Sequence, residues 1–243
     1  MTGEREPRDG SGETEKSEDR QSAGDQESPA DWPVALRGVT ESVVTTLGPN
    51  DLWNVAALGL HPPEESGPSD ESDGPAADES SGDPDDESTP KAPVTATTWG
   101  NTRTRRNFHR QGRGYVQFTR NPVDYVDAAL SIFEIDEPVL DSADAWVEVE
   151  VEQVDSGEDG GTRWEQWELY PREASVERET VPTTNRGFSA VVEATVAASR
   201  LGVDAYDQTK LRERLAYFEE VARACGDDRV CAATDRLREY VEE

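Results

Sequence analysis

The chain contains little lysine, cysteine or histidine, and each shortage excludes a class of site. Of its 24 basic residues, only Lys16, Lys91 and Lys210 are lysines. Two cysteines, Cys225 and Cys231, are too few for a disulfide framework, and a Cys-x5-Cys pair without a nearby histidine makes a poor zinc site. Because only two histidines are present, a multi-histidine metal centre is excluded.

Long apolar runs are also lacking. No window approaches the roughly 18 apolar residues that a membrane span requires, and the N-terminal residues contain no apolar core of the kind found in signal peptides. The sequence therefore predicts a cytoplasmic protein without a membrane segment.

Acidic side chains are present in large excess. The 243 residues include 53 acids, which gives a net charge of −29. Such a charge argues against nucleic acids and anionic membranes as partners. Acid-rich, lysine-poor surfaces are typical of proteins that work in molar salt, where ions screen the repulsion between carboxylates. We therefore expect a halophilic protein.

Two acidic segments differ from the rest of the chain. Residues 1–30 and 62–91 contain no aromatic residue and cannot bury enough apolar surface to offset the entropy cost of ordering. We predict that 1–30 is a disordered tail and that 62–91 is a disordered insertion. The folded parts are then expected to be residues 31–182 and residues 183–243.

The remaining sequence predicts strands first and helices afterwards. Alternating apolar and β-branched residues predict strands over 39–47, 52–60, 94–99, 114–119, 145–154 and 163–181. Helical spacing of apolar residues predicts helices over 104–110, 122–131, 188–201, 207–225 and 229–241. This order indicates an α+β fold whose C-terminal part is helical.

One stretch carries positive charge only. Residues 101–123 contain six arginines and no acid. Arginines at the start of the predicted helix oppose the positive end of its dipole, and the hydroxyls of Thr102 and Thr104 lie beside them. Free amides, hydroxyls and guanidinium groups together suit a phosphate. The alternative is that these arginines pair with acids from elsewhere in the fold or from a partner subunit.

The first predicted hairpin offers a second wall for a site. Thr45, Thr46 and the run Asn54-Val55-Ala56-Ala57 place small and polar groups between bulky neighbours. Small side chains on a strand let a flat ligand lie against the backbone, although small residues in a strand also occur for packing alone. His109 is a candidate proton donor, but a surface histidine on a short helix is the commoner case.

Several short pieces, in this order and spacing, resemble the archaeal domain-of-unknown-function 447 family of the flavin reductase-like FMN-binding split-barrel superfamily. They are residues 41–46 (ESVVTT), 54–59 (NVAALG), 104–107 (TRRN), 121–126 (NPVDYV), 185–187 (NRG) and 191–193 (VVE). The resemblance implies a split β-barrel followed by a helical part. It also implies a homodimer that holds FMN at the subunit interface.

The resemblance further implies where the cofactor lies, with Thr102 and Thr104 at the phosphate and residues 54–58 at the isoalloxazine edge. The expected cofactor-binding residues are Thr45, Thr46, Asn54, Val55, Ala56, Ala57, Leu58, Asn101, Thr102, Arg103, Thr104 and Arg106. The function expected is that of an FMN-dependent oxidoreductase of unknown substrate, with no catalytic residue or metal ligand assigned. The alternatives are a deazaflavin or another phosphorylated flat heterocycle as ligand, and a non-catalytic binding module.

Overall fold

The structure is a computed structural model that describes residues 30–62, 93–181 and 183–242. Apart from Ala30 and Pro62, the two acidic segments predicted to be disordered lie outside the described residues.

The described residues form seven strands and five helices. The strands are β1 (Thr40–Leu47), β2 (Trp53–His61), β3 (Val94–Trp99), β4 (Arg113–Thr119), β5 (Phe133–Ile135), β6 (Ala143–Asp159) and β7 (Thr162–Val176). The helices are α1 (Arg103–Gln111), α2 (Pro122–Leu130), α3 (Arg186–Ala198), α4 (Gln208–Cys225) and α5 (Asp228–Glu242). Each predicted helix and strand is present, and the α+β class is confirmed.

Six of the strands close into an antiparallel barrel. The order around it is β1-β4-β6-β7-β3-β2, and pairing of β1 with β2 completes the circle. Strand β5 is not part of the circle and pairs with β2 on its other edge. Every pair is antiparallel, as expected where hairpins and short helices connect neighbouring strands. The predicted split-barrel architecture is thus confirmed.

Alternation along the strands produces the barrel core. In β6, burial alternates between inward and outward positions from Ala143 to Val149, because successive side chains of a strand point to opposite faces. Val44, Leu60, Val147 and Leu169 are fully buried within this core. Each such side chain contributes about 1.5–3 kcal/mol relative to an exposed position, and the barrel therefore has its own stable interior.

The hairpin of β6 and β7 is longer than predicted. Strand pairing continues to Asp159 and Thr162, whereas apolar alternation stops several residues earlier. Gly160 and Gly161 form the turn with φ of 54° and 81°, values that favour glycine in a two-residue hairpin loop. Since both faces of the outer hairpin are mostly exposed, its sequence carries no burial pattern from which the strand could be predicted.

The C-terminal helices pack on one another and are joined to the barrel through α2. Buried alanine and leucine side chains of α3, α4 and α5 form a separate core that also includes Val126 of α2. Asp127 of α2 accepts hydrogen bonds from Arg236 Nε and Tyr240 Oη of α5, both at 2.7 Å. These contacts fix the helical layer beside the first strands of the barrel. None of the helices in the described ranges is long and apolar enough to cross a membrane.

Candidate functional site

The barrel is open along one edge of β2. On that edge β2 pairs with β5 at residues 53–55 and with β3 only at Leu60 and His61. Residues 56–59 are therefore unpaired there within the described part of the chain, although their other edge is fully paired with β1. An unpaired strand edge presents backbone N–H and C=O groups that can bind a ligand.

A cleft of about 530 Å³ lies against this open edge. Its walls are the end of β3, the start of α1, and parts of α2 and α3. Ten of the twelve residues predicted to bind a cofactor line it, namely Asn54, Val55, Ala56, Ala57, Leu58, Asn101, Thr102, Arg103, Thr104 and Arg106. The fold thus brings together the two chain segments that the sequence singled out separately.

Helix α1 begins at the cleft with its amides available. The hydroxyl oxygen of Thr102 accepts a hydrogen bond of 3.2 Å from the Arg105 amide, which caps the helix. The amides of Arg103 and Thr104, as first-turn groups, have no partner within the helix. The first turn contains no acidic residue. This start therefore has the donor set and the positive dipole end that an anion requires.

A polar contact joins this helix to β2. The Thr104 side chain is buried, and its hydroxyl accepts a hydrogen bond of 3.4 Å from Asn54 Nδ2. Gly112 ends the helix with φ of 64°, and its amide donates to the Phe108 carbonyl. The helix is thus fixed at both ends, and its first turn is held against the strand that forms the floor of the cleft.

Most arginines of the acid-free stretch pair with acids from elsewhere in the fold. The ion pairs are Arg103–Glu134 at 2.6 Å, Arg105–Glu165 at 2.7 Å, Arg113–Glu148 at 3.7 Å and Arg120–Asp144 at 2.6 Å. For these four residues the alternative interpretation, pairing with distant acids, describes the structure.

Arg106 differs from those four. Its Nη1 donates to the carbonyl and side-chain oxygens of Asn101, at 2.9 and 3.2 Å, and it forms no ion pair with any described residue. Arg110, the sixth arginine, donates to the Leu47 carbonyl away from the cleft. Arg106 is therefore the cleft arginine whose charge is not neutralised within the described ranges.

A buried carboxylate supports α1 from behind. Glu165 of β7 is fully buried, and its Oε1 lies 2.7 Å from Arg105 Nη2 and 2.8 Å from Arg163 Nη2. These are close charge contacts outside aligned hydrogen-bond geometry, because Oε1 has no hydrogen-bond partner. Its Oε2 lies 2.7 Å from His109 Nε2. The Arg105 guanidinium and then the His109 ring lower the pKa of Glu165 to about 2.

His109 itself does not line the cleft. Its ring lies edge-on to Trp167, with 4.9 Å between centroids. The structure thus places this candidate proton donor in the Glu165 cluster.

Thr45 and Thr46 lie inside the barrel wall. Both are fully buried. Thr45 Oγ1 donates to the Pro138 carbonyl, and Thr46 Oγ1 accepts a hydrogen bond of 3.0 Å from Asn107 Nδ2. Neither residue lines the cleft. Thr46 instead contacts α1 through Asn107, one turn beyond the start of the helix.

The cleft also contains residues that sequence analysis did not select. Tyr125 of α2 donates a hydrogen bond of 2.9 Å to Glu41 Oε2 of β1, and both line the cleft. Burial, followed by the charge of Glu41, raises the pKa of the Tyr125 hydroxyl, so that it remains a donor. Glu41 and Tyr125 both fall in the sequence pieces that carried the resemblance, and this was the signal that could have found them.

A larger groove of about 1500 Å³ lies between the barrel and the starts of α2, α3 and α5. Arg120 and Arg178 line it together with Asp136, Asp144 and other acids. It contains none of the residues predicted to bind a cofactor. Among the described residues, no group of three or more metal-ligating side chains is present.

Two family models match the chain. The protein of unknown function (DUF447) N-terminal domain matches residues 88–178, and the DUF447 C-terminal model matches residues 185–239. The chain belongs to the DUF447 family. Strands β1 and β2, which carry the open edge, precede the matched residues. None of the curated proteins matches this DUF447 chain.

Solved structures show the same fold. An FMN-bound DUF447 protein from Methanosarcina mazei has a TM-score of 0.63 at 21% identity, covering 84% of this chain and 96% of that one. The flavin reductase of styrene monooxygenase from Pseudomonas putida S12 has a TM-score of 0.32 at 14% identity, covering 59% and 83%. A flavoredoxin from Methanosarcina acetivorans has a TM-score of 0.35 at 11% identity, covering 65% and 78%.

Proposed function

We propose that this DUF447 protein binds FMN in the cleft and acts as a flavin-dependent oxidoreductase. The observation that carries the proposal is that one cleft joins an uncapped, positively charged helix start to an unpaired strand edge. FMN has a phosphate for the first feature and a flat ring for the second. The FMN bound to the Methanosarcina mazei protein supports this choice.

The start of α1 suits the phosphate. Its donors are the amides of Arg103 and Thr104, the Thr102 hydroxyl and the guanidinium of Arg106. Charge-assisted hydrogen bonds of this kind are about twice as strong as neutral ones. Because Arg103 is paired with Glu134, we assign Arg106 as the principal cation that would hold the phosphate.

The open edge of β2 suits the ring. Ala56, Ala57 and Gly59 keep the edge clear of bulky side chains, and the backbone groups of residues 56–59 can hydrogen-bond to the rim of a heterocycle. A volume of about 530 Å³ falls within the usual range for small-molecule sites. When bound, FMN would supply the electron-transfer chemistry, and the chain would bind, orient and shield it.

We also propose that a second copy of the chain covers the cleft. Trp99 and Ile132 line it, yet 51% and 70% of their surfaces are exposed. Large apolar side chains at the rim of a polar cleft are typical of surfaces that are buried on association. A homodimer would shield both the rim and the ligand from water.

The proposal is tested by comparing FMN with riboflavin, which has the ring without the phosphate. In Arg106→Gln one charge-assisted contact is lost, worth about 1.5–3 kcal/mol, and FMN affinity should fall roughly ten- to a hundredfold. Riboflavin affinity should change little. Arg172→Gln is the matched control, because Arg172 is exposed and pairs with Glu150 on the outer hairpin.

Fluorescence quenching at fixed salt measures both ligands. Equal FMN affinities for wild type and Arg106→Gln would remove the phosphate assignment, and no binding of either flavin would refute the proposed function. Bleaching of the bound flavin by a reduced nicotinamide would support an oxidoreductase. A protein that binds FMN but is not reduced by any donor would be a non-catalytic binding module.

A further inference from the structure

The cleft has a second end, away from helix α1, and that end carries the opposite charge. The Thr104 end is marked by its contact with Asn54 on β2. Glu41 pairs with Gly59 in the register of β1 and β2, five residues further along the same strand. At about 3.4 Å per residue this places the two ends about 17 Å apart.

Glu41 is available to a ligand. Only its Oε2 accepts a hydrogen bond from a described residue, the 2.9 Å bond from the Tyr125 hydroxyl, and no described arginine or lysine forms an ion pair with it. The other carboxylates near α1 differ in this respect, since Glu134 is paired with Arg103 and Glu165 with Arg105. Glu41 is therefore the cleft carboxylate with an oxygen still free to accept, as judged within the described ranges.

The neighbourhood of Glu41 is open and its orientation is fixed. A Cβ placed on Gly59 would contact only Val39, at 3.7 Å, and Gly59 lines the cleft beside Glu41. Tyr125 is 5% exposed and is held in the core between the barrel and α2. A rigid donor thus orients one carboxylate oxygen, and the glycine leaves space for a ligand group next to the other.

We propose that Glu41 recognises an N–H group of what the cleft binds, with Tyr125 as its positioning residue. This inference rests on the proposed function. A carboxylate is an acceptor only, so it selects a donor. Two sources can supply the N–H: the imide of the flavin ring itself, or an amide or amine of the second reactant beside it. Both place a donor at the acidic end and an anion at the basic end.

The first experiment tests the flavin imide as the source. FMN and its N3-methyl derivative are titrated by fluorescence quenching against wild type, Glu41→Gln, Tyr125→Phe and the control Glu150→Gln. Wild type should bind FMN roughly ten- to a hundredfold more tightly than the methylated flavin. Glu41→Gln should lose most of this preference, and Tyr125→Phe part of it, whereas Glu150→Gln should keep it. Any steric effect of the methyl group persists in all variants and is thereby separated.

The second experiment tests the reactant as the source. Reduction of bound FMN is followed with a reduced nicotinamide, whose carboxamide carries N–H groups. If Glu41 recognises this reactant, Glu41→Gln should raise its KM roughly tenfold or more, with kcat and FMN affinity nearly unchanged. A merely structural role for Glu41 would lower kcat and thermal stability together instead.

Each outcome is decisive. Loss of flavin discrimination assigns the imide, and a change in KM alone assigns the reactant. If FMN binds but Glu41→Gln alters neither, or alters no flavin preference when there is no reduction to follow, the inference is overturned while the proposed function stands. Failure of wild type to bind FMN would overturn both.

Discussion

Replacing Glu165 by glutamine tests whether the buried charge cluster stabilises the barrel and supports α1. The Glu165 side chain is fully buried, and that of Arg105 is only 15% exposed. Glutamine keeps the size of the side chain but removes its charge. Arg105 would then be left beside Arg163 and His109 without the carboxylate that neutralises them.

The size of the effect follows from burial. Removing one partner of a buried ion pair costs about 3–5 kcal/mol, because the remaining charge stays desolvated. An independent value comes from the pKa of Glu165, which is lowered from 4.5 to about 2. At 1.36 kcal/mol per pKa unit this corresponds to about 3 kcal/mol. We therefore expect Glu165→Gln to lower the free energy of unfolding by about 3 kcal/mol or more at neutral pH.

The pH dependence has a definite sign. Because folding lowers the pKa of Glu165, its contribution is complete above the unfolded pKa of about 4.5 and is lost as the pH falls through about 2. Wild type should thus lose stability across this window. Glu165→Gln lacks the carboxylate and should lose less there, so the two unfolding free energies should converge near pH 2.

Denaturant unfolding from pH 7 to pH 2 at fixed salt measures both effects. Glu150→Gln is the matched control, since Glu150 and its partner Arg172 are 56% and 52% exposed, and exposed pairs contribute about 0–1 kcal/mol. If Glu165→Gln unfolds within 1 kcal/mol of wild type, or if the difference between them does not shrink with acid, the cluster does not act as argued.

Two further predictions concern the acidic character of the chain. With a net charge of −29, the protein should melt at lower temperature as salt is reduced from molar to millimolar, because carboxylate repulsion is then unscreened; a constant melting temperature would refute adaptation to high salt. Replacing residues 63–92 by Asn-Gly should preserve cooperative unfolding, since His61 and Thr95 already pair as hairpin neighbours; loss of the cooperative transition would show that these residues contribute to folding.

Much of the fold could be predicted because its signals are local. Alternation of apolar residues marked β6, and side-chain caps marked the helix starts, as where Asn121 accepts from the Val123 amide and precedes Pro122. Strand β5 was missed because its three residues are too few to show a period. The outer part of the β6–β7 hairpin was missed because strand pairing there proceeds without burial.

The site could be predicted only in part, because its selectivity depends on contacts between distant segments. The acid-free stretch correctly indicated a helix start with arginines, but its sequence could not show that Glu134 and Glu165 neutralise Arg103 and Arg105. Those partners lie on β5 and β7, far along the chain. The free charge of Arg106 depends on the same pairing. Glu41 was invisible for a related reason, since its role requires Tyr125 of α2 to reach β1.

The paired and unpaired arginines respond differently to salt, and this affects how the cleft could bind an anion. At 1 M ionic strength the Debye length is about 3 Å, so long-range attraction of a phosphate would be almost fully screened. The buried Arg105–Glu165 pair is screened much less and would still hold α1 in place. Binding would then depend on direct hydrogen bonds from the helix amides and Arg106. Affinity for FMN should accordingly fall with salt less steeply than the association rate does.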